Sequence, residues 1–263
     1  MSAGLNYAWR LAATGVCFMT FSAGGLVLSL LLLPVLMLTP RRNRASRARR
    51  VIRQSFRLFI WLMEAMGIMR LELIGGDKLR GCGGMLVLAN HPTLIDVVAL
   101  LSVLPTASCV VKQALWRNPF LGGVVRAADY ISNAEGDSLV DECVRHLQDG
   151  HALVIFPEGT RSQPGKPIRF LRGASFIALK SGVPILPVLI DCSPPTLTKR
   201  EKWYQIPPRR FHLRIEVLDT LDARQWSASS EVSPLVARRL TRGLEGYFAK
   251  ELSRYGHTGH AQA

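Results

Sequence analysis

From Met1 to Met63 the chain contains no aspartate and no glutamate. The nine arginines in that stretch (Arg10, Arg41, Arg42, Arg44, Arg47, Arg49, Arg50, Arg53 and Arg57) therefore supply nine of the net +14 charges of the 263-residue protein. Its five cysteines, Cys17, Cys82, Cys109, Cys143 and Cys192, form no C-x-x-C pair and no His/Cys cluster with zinc-ligand spacing, and their number is odd. A disulfide scaffold and a structural zinc site are set aside on that ground. No P-loop, no G-x-S-x-G elbow and no internal repeat occurs, which removes the usual sequence support for nucleotide-driven chemistry and for a serine hydrolase. Disorder is excluded in turn, because 48% of the residues are apolar. The length suits one α/β domain with an appendage and leaves enough material to bury a core.

What is present begins with an uncharged run from Leu11 to Pro40 that includes FMTFSAGGLVLSLLLLPVLML. As a helix it extends about 45 Å, longer than the ~30 Å hydrocarbon core, so it can span a membrane with tilt or with a kink at Pro34 or Gly24-Gly25. The run is too long for a signal-peptide core, and the arginines after it read as a stop-transfer flank. Residues 1–40 are expected to be a membrane-inserted helix and residues 41–67 an Arg-rich amphipathic helix on the membrane surface, its arginines facing anionic headgroups. The apolar content of that second helix includes Phe56, Phe59, Ile60, Trp61 and Met63. The positive-inside bias places residue 41 onward in the cytoplasm, as in a protein of an inner (cytoplasmic) membrane. A basic stretch can also grip nucleic acid, but one that abuts an apolar span and runs into an amphipathic helix points to lipid, and no nucleic-acid partner is expected.

Beyond Ile68 short apolar runs recur at 71–75, 85–90, 108–112, 152–156, 184–190 and 211–218. Helical patterns near 92–104, 114–128, 137–149 and 170–181 alternate with them. This order predicts an α/β fold over residues 68–226, a mixed and mostly parallel sheet flanked by helices. Residues 227–263 read as a C-terminal amphipathic helix and tail, with Leu235, Leu240, Leu244, Phe248 and Leu252 on its apolar side.

Two strand-to-helix junctions carry chemistry. In MLVLANHPTLID an apolar strand ends at Asn90, His91 follows, and Pro92 stands where a first helical residue is tolerated. Asp96, about one and a third helical turns beyond His91, could hold one imidazole nitrogen and leave the other as a general base. Of the six histidines only His91 has an aspartate five residues later. In ALVIFPEGTRS a second strand runs into Glu158, Gly159, Thr160, Arg161 and Ser162. Glycine allows close backbone approach, threonine offers a hydroxyl and arginine a planar fork, a combination suited to an anion. Each motif alone also fits a plain turn: a capping histidine with a solvent-facing aspartate, or a surface Glu and Arg pair.

Together, NHPTLID, FPEGTRS and RFLRGASFIALKSGVPILPV, in this order and spacing, resemble the lysophospholipid acyltransferase superfamily, which includes bacterial 1-acylglycerol-3-phosphate acyltransferases. The resemblance covers roughly residues 60–220. It implies a glycerolphosphate acyltransferase-like α/β domain with N-terminal membrane helices. It further implies that His91 deprotonates an acceptor hydroxyl, that Asp96 orients the histidine, and that Glu158, Gly159, Thr160 and Arg161 bind the acceptor's phosphate. Pro184 and Pro187 would support the site or its acyl-donor side. No bound cofactor and no metal are implied; acyl-acyl carrier protein or acyl-CoA would be the cosubstrate, and membrane lipids the other partner. The block VVKQALWRNPFLGGVVRAADYISN keeps Lys112, Leu115, Pro119 and Gly122, but where the family usually closes it with an arginine this chain has Asn133. Arg126 or Arg161 could compensate for the lost cation. Three functions stay open: transfer to lysophosphatidic acid giving phosphatidic acid, the same chemistry on an acceptor belonging to a specialised lipid or polyene product, and a noncatalytic membrane lipid-binding protein.

Overall fold

The computed structural model describes residues 3–38, 40–133, 138–163, 165–226 and 232–258. Apolar runs bounded by turns form the strands β1 Met69–Ile74, β2 Leu86–Ala89, β3 Ala107–Val111, β4 Ile131–Ser132, β5 Ala152–Ile155, β6 Ile185–Ser193 and β7 Phe211–Val217. The helices are α1 Ala3–Met37, α2 Arg41–Ala65, α3 Asp96–Val103, α4 Gln113–Trp116, α5 Gly122–Ala127, α6 Ser138–Gln148, α7 Gly173–Ser181 and α8 Pro234–Thr258. The strands lie in one sheet in the order β1-β7-β6-β2-β5-β3-β4. Neighbours run parallel except β6 and β7, which pair antiparallel. The mixed, mostly parallel sheet flanked by helices expected from the alternation of apolar runs is thus borne out.

The burial of each strand follows its sequence pattern. Every residue of LVLA in β2 and of ALVI in β5 is buried, as expected of central parallel strands covered on both faces. In β7 the alternation is strict: Phe211, Leu213, Ile215 and Val217 are buried, while His212, Arg214 and Glu216 are half-buried. Pro184 sits just before β6 and its carbonyl accepts the Leu86 N–H at 3.0 Å. Pro187 pairs in register with Leu88, and its carbonyl accepts the Leu218 N–H at 3.0 Å. Both prolines therefore take part in the hydrogen bonding of the sheet through their carbonyls.

Three local expectations are corrected. The helix expected over 92–104 begins only at Asp96, so Pro92 is not a first helical residue and His91 lies in a loop. The helix expected over 114–128 is two short helices, α4 and α5, because Asn118-Pro119 interrupts it: the Asn118 side chain accepts the backbone N–H groups of Phe120 and Leu121. In α8 Leu240, Leu244 and Phe248 are buried against the core, but Leu235 is exposed.

The N-terminal helices dock on the domain along their length. In α2 Ala48, Arg49, Ile52, Ile60 and Met63 are buried. Arg49 therefore faces inward rather than toward lipid, and its Nε donates to the Ala128 carbonyl at 2.9 Å. In α1 the buried residues Arg10, Ala13, Thr14, Cys17 and Ser29 recur at helical spacing, whereas Leu5, Val16, Met19, Val27, Leu30 and Leu31 are exposed. Arg10 is likewise turned inward, its two terminal nitrogens each 2.7 Å from the carbonyls of Pro207 and Pro208. Ser29 donates to the Phe120 carbonyl at 2.9 Å. Between them Gly25 permits the close approach, since a Cβ there would meet Leu121 at 2.6 Å and the Phe120 carbonyl at 3.2 Å.

Candidate functional site

The C-terminal ends of β5, β2 and β6, adjacent in the sheet, open at one edge, where α/β folds usually place chemistry. Beyond Ala89 the ladder between β2 and β6 continues through a side chain. Asn90 Nδ2 donates to the Ile190 carbonyl at 2.8 Å, and Asn90 Oδ1 accepts the Ile190 N–H at 2.7 Å. The amide thereby replaces a backbone partner, and it fixes the chain one residue before His91.

His91 Nδ1 lies 2.8 Å from Asp96 Oδ2, and the same oxygen accepts the Thr93 N–H at 2.8 Å. The Asp96 side chain is fully buried and that of His91 is 16% exposed. Asp96 reaches the ring from the first residue of α3 across the Pro92–Ile95 turn, not along a helix face as the spacing suggested. With Nδ1–H donated to the carboxylate, Nε2 carries the free lone pair. Phe156 packs against the imidazole, ring centroids 4.5 Å apart. Burial pushes the Asp96 carboxyl up to about 6, opposed by its hydrogen bond to His91.

The EGTRS turn holds the backbone of His91 from both sides. Glu158 Oε1 accepts the His91 N–H at 3.0 Å and the Ser162 hydroxyl at 2.6 Å, while the Ser162 N–H donates to the His91 carbonyl at 2.7 Å. Burial also raises the Glu158 carboxyl above the ordinary glutamate range. Through these bonds Glu158 braces the histidine loop. Gly159 adopts φ +65°, and Leu171 sits where a Cβ would stand, at 2.6 Å. Arg161 is half-buried and its Nη1 donates to the carbonyls of Leu197 and Thr198 at 2.7 and 2.9 Å. Thr160, next to it, is half-buried.

The other polar residues singled out from the sequence, Lys112, Arg126 and Asn133, lie between the two motifs along the chain. Lys112 is exposed at the residue preceding α4. Asn133 Oδ1 accepts the Gln113 N–H at 3.0 Å and so caps α4. Arg126 Nη1 donates to the Trp116 carbonyl at 2.6 Å. Asn90 and Thr93, which the sequence pattern left without a role, also hold the histidine loop. The signal for Asn90 was an amide directly after an apolar run; Thr93 acts through its backbone, which no side-chain pattern announces. The cysteines are unpaired and buried, and burial pushes the thiols of Cys109, Cys143 and Cys192 up to about 12. None of these three is poised as a thiolate nucleophile.

Residues 70–191 match the family model described as Acyltransferase. Among curated proteins, the 1-acyl-sn-glycerol-3-phosphate acyltransferase of Helicobacter pylori is 34% identical over 115 residues, 41% of this chain and 48% of that one. The mouse 1-acyl-sn-glycerol-3-phosphate acyltransferase alpha is 26% identical over 148 residues, 53% of this chain and 52% of that one. The chain spans about half the length of the curated relatives it matches. The crystal structure of the 1-acyl-sn-glycerophosphate (LPA) acyltransferase from Thermotoga maritima superimposes with a TM-score of 0.69 at 22% identity, covering 92% of this chain and 97% of that one. It shares the fold.

Proposed function

We propose that this chain, whose residues 70–191 form an Acyltransferase-family domain, moves an acyl group from an acyl thioester to the hydroxyl of a membrane lipid, with 1-acylglycerol-3-phosphate as the acceptor and phosphatidic acid as the product. One observation carries the reading: His91 Nδ1 is held at 2.8 Å by a fully buried Asp96, which leaves Nε2 as a proton acceptor. Nε2 takes the acceptor's hydroxyl proton as its oxygen bonds to the thioester carbonyl carbon. The C–S bond then breaks, and the thiol leaves with the proton returned from the imidazolium. The donor is acyl-CoA or acyl-acyl carrier protein. No protein nucleophile is needed: the Ser162 hydroxyl meets the His91 backbone N–H at 3.3 Å and donates to Glu158, and it is the Asp96 carboxylate that meets the His91 ring.

Acceptor recognition falls to Arg161, whose Nε and Nη2 are left for phosphate oxygens, with Thr160 and the backbone at Gly159 beside it. Asn133 supplies a neutral amide where the resembling enzymes usually carry a cation, and its oxygen is already committed to Gln113. That observation favours a second reading in which the same chemistry serves a different lipid acceptor.

The membrane role of the N-terminus is read from the docking of α1. The stretch Gly4–Leu31 is long and apolar enough to cross a bilayer. Yet Arg10 and Ser29, about 28 Å apart along a helix, both bond to the same domain. Such a helix lies along the domain and presents its exposed apolar side to one leaflet, so we infer attachment at the cytoplasmic face of an inner membrane without a free span.

The test is acyl transfer by detergent-purified wild type and His91→Ala, with acyl-acyl carrier protein and acyl-CoA as donors and lysophosphatidic acid as acceptor. His91-dependent phosphatidic acid is the expected product. Thioester consumption with total membrane lipid but not with lysophosphatidic acid would select the second reading, and equal turnover by His91→Ala would reject the chemistry.

A further inference from the structure

The segment between β6 and β7 contains two large aromatics that remain well exposed, Trp203 at 46% and Tyr204 at 44%. They stand edge to face, with centroids 5.8 Å apart. The Trp203 ring also lies 6.0 Å from Phe18 and fills the space beside Gly15 of α1. Gly15 and Phe18 flank Val16 and Met19, which belong to the exposed apolar side of that helix. Farther along, the Pro207 and Pro208 carbonyls receive the buried Arg10 guanidinium, so the segment is fastened to α1 at two places. Between Lys199 and Arg210 it carries five cations against one acid, Glu201, whose carboxylate is engaged by the Thr198 N–H at 2.8 Å. The Lys202 ammonium sits 5.7 Å from the centre of the Tyr204 ring.

Exposed tryptophan and tyrosine with adjacent lysines, continuous with an apolar helix face, match the composition that partitions into the headgroup zone of a bilayer. The root of the segment is tied to the chemistry. The Leu197 carbonyl accepts from Arg161 Nη1 at 2.7 Å and from the Leu94 N–H at 3.2 Å, and Leu94 lies between His91 and Asp96.

We propose that the Lys199–Tyr204 loop is a second membrane-contact element, seated beside α1 in the interface of an anionic phospholipid bilayer, and that through Arg161 and Leu94 it sets the height of the histidine site above the lipid. This rests on the reading that the chain acts on a membrane lipid. An acceptor hydroxyl just below its headgroup is then met at the depth where the loop's aromatic rings lie.

The experiment uses the full chain and phosphatidylcholine vesicles with and without phosphatidylglycerol. Tyr204→Ser with Lys199→Gln and Lys202→Gln, which leave the contact of Trp203 with Phe18 and Gly15 in place, are compared with Met19→Ser on α1, and circular dichroism checks that each variant is folded. The loop variant is expected to bind the anionic vesicles on the order of five- to tenfold more weakly. Its apparent KM for bilayer-borne lysophosphatidic acid should rise by a similar factor, with turnover of a short-chain, water-soluble lysophosphatidic acid unchanged. Retained binding by the loop variant while Met19→Ser loses it overturns the loop proposal alone. Retained binding by both also overturns the loop proposal, and a wild type that binds neither kind of vesicle overturns the membrane reading beneath it. A loop variant that binds vesicles normally but shows a raised KM for acyl carrier protein makes the loop a docking site for an acidic protein and also overturns the proposal. If wild type acylates neither acceptor, the proposed activity fails, and the vesicle-binding comparison still decides the loop.

Discussion

Asp96 Oδ2 accepts two hydrogen bonds at 2.8 Å, one from the His91 ring and one from the backbone N–H of Thr93. The carboxylate is thus fixed by the loop it organises, and the imidazole is fixed by the carboxylate. Asp96→Asn keeps the shape but removes the charge that stabilises an imidazolium and that selects the Nε2 lone pair. Turnover is expected to fall on the order of 10^2- to 10^4-fold with little change in acceptor KM. Steady-state kinetics on both substrates checks this, and wild-type turnover would remove Asp96 from the mechanism.

The same residue makes activity and stability respond to pH in opposite directions. Burial raises the Asp96 carboxyl from 3.8 to about 6, so the native state holds its proton over a window in which the unfolded chain has lost it. Stability therefore declines as pH rises from about 4 through 6. Turnover should climb over the upper part of that window as the carboxylate forms. Asp96→Asn is expected to lose the acidic limb of the rate profile and to gain in Tm relative to wild type more at pH 7.5 than at pH 4. Parallel Tm curves for the two proteins would contradict it.

Asn90 replaces a backbone rung between β2 and β6, with bonds of 2.8 and 2.7 Å to Ile190. Asn90→Ala strands a buried N–H and a buried carbonyl, at a cost of about 1–3 kcal/mol for an unsatisfied group. A lowered denaturation midpoint, together with reduced kcat from a displaced His91, is the expected outcome. Unchanged values of both would mean that the loop holds itself.

Glu158 and Arg161 are two residues of one turn with different duties. Glu158→Gln keeps an oxygen for the His91 N–H and should retain most activity, whereas Glu158→Ala should lower kcat. Arg161→Ala should raise the apparent KM for the lipid acceptor. An acceptor KM effect from Glu158→Gln equal to that of Arg161→Ala would return Glu158 to the phosphate.

The arginines of α2 divide in the same way. Arg50 and Arg57 are exposed, and replacing both by Gln should weaken binding to anionic vesicles, an effect that fades in high salt. Arg49 is buried with its Nε on the Ala128 carbonyl, so Arg49→Gln should lower Tm instead. Binding assays and thermal melts on the two variants separate these roles.

The local code of the chain already determined the sheet, the basic N-terminal region and the pairing of His91 with Asp96. Short continuous apolar runs such as LVLA and ALVI, bounded by turn residues, suit central strands covered on both faces, and the alternation in FHLRIEV leaves one face partly open. Other features were decided by contacts between residues far apart in sequence, which no local pattern encodes. Arg49 reads as a lipid-facing cation until the Ala128 carbonyl arrives beside it, and Arg10 likewise meets the carbonyls of Pro207 and Pro208 from a distant segment. Glu158 reads as part of an anion site, and only the meeting of the β5 end with the β2 end shows that its carboxylate also accepts the His91 N–H. The sequence pattern specifies which side chains must leave water; the fold then specifies which polar groups they meet, and a buried polar group takes its role from the partner that satisfies it.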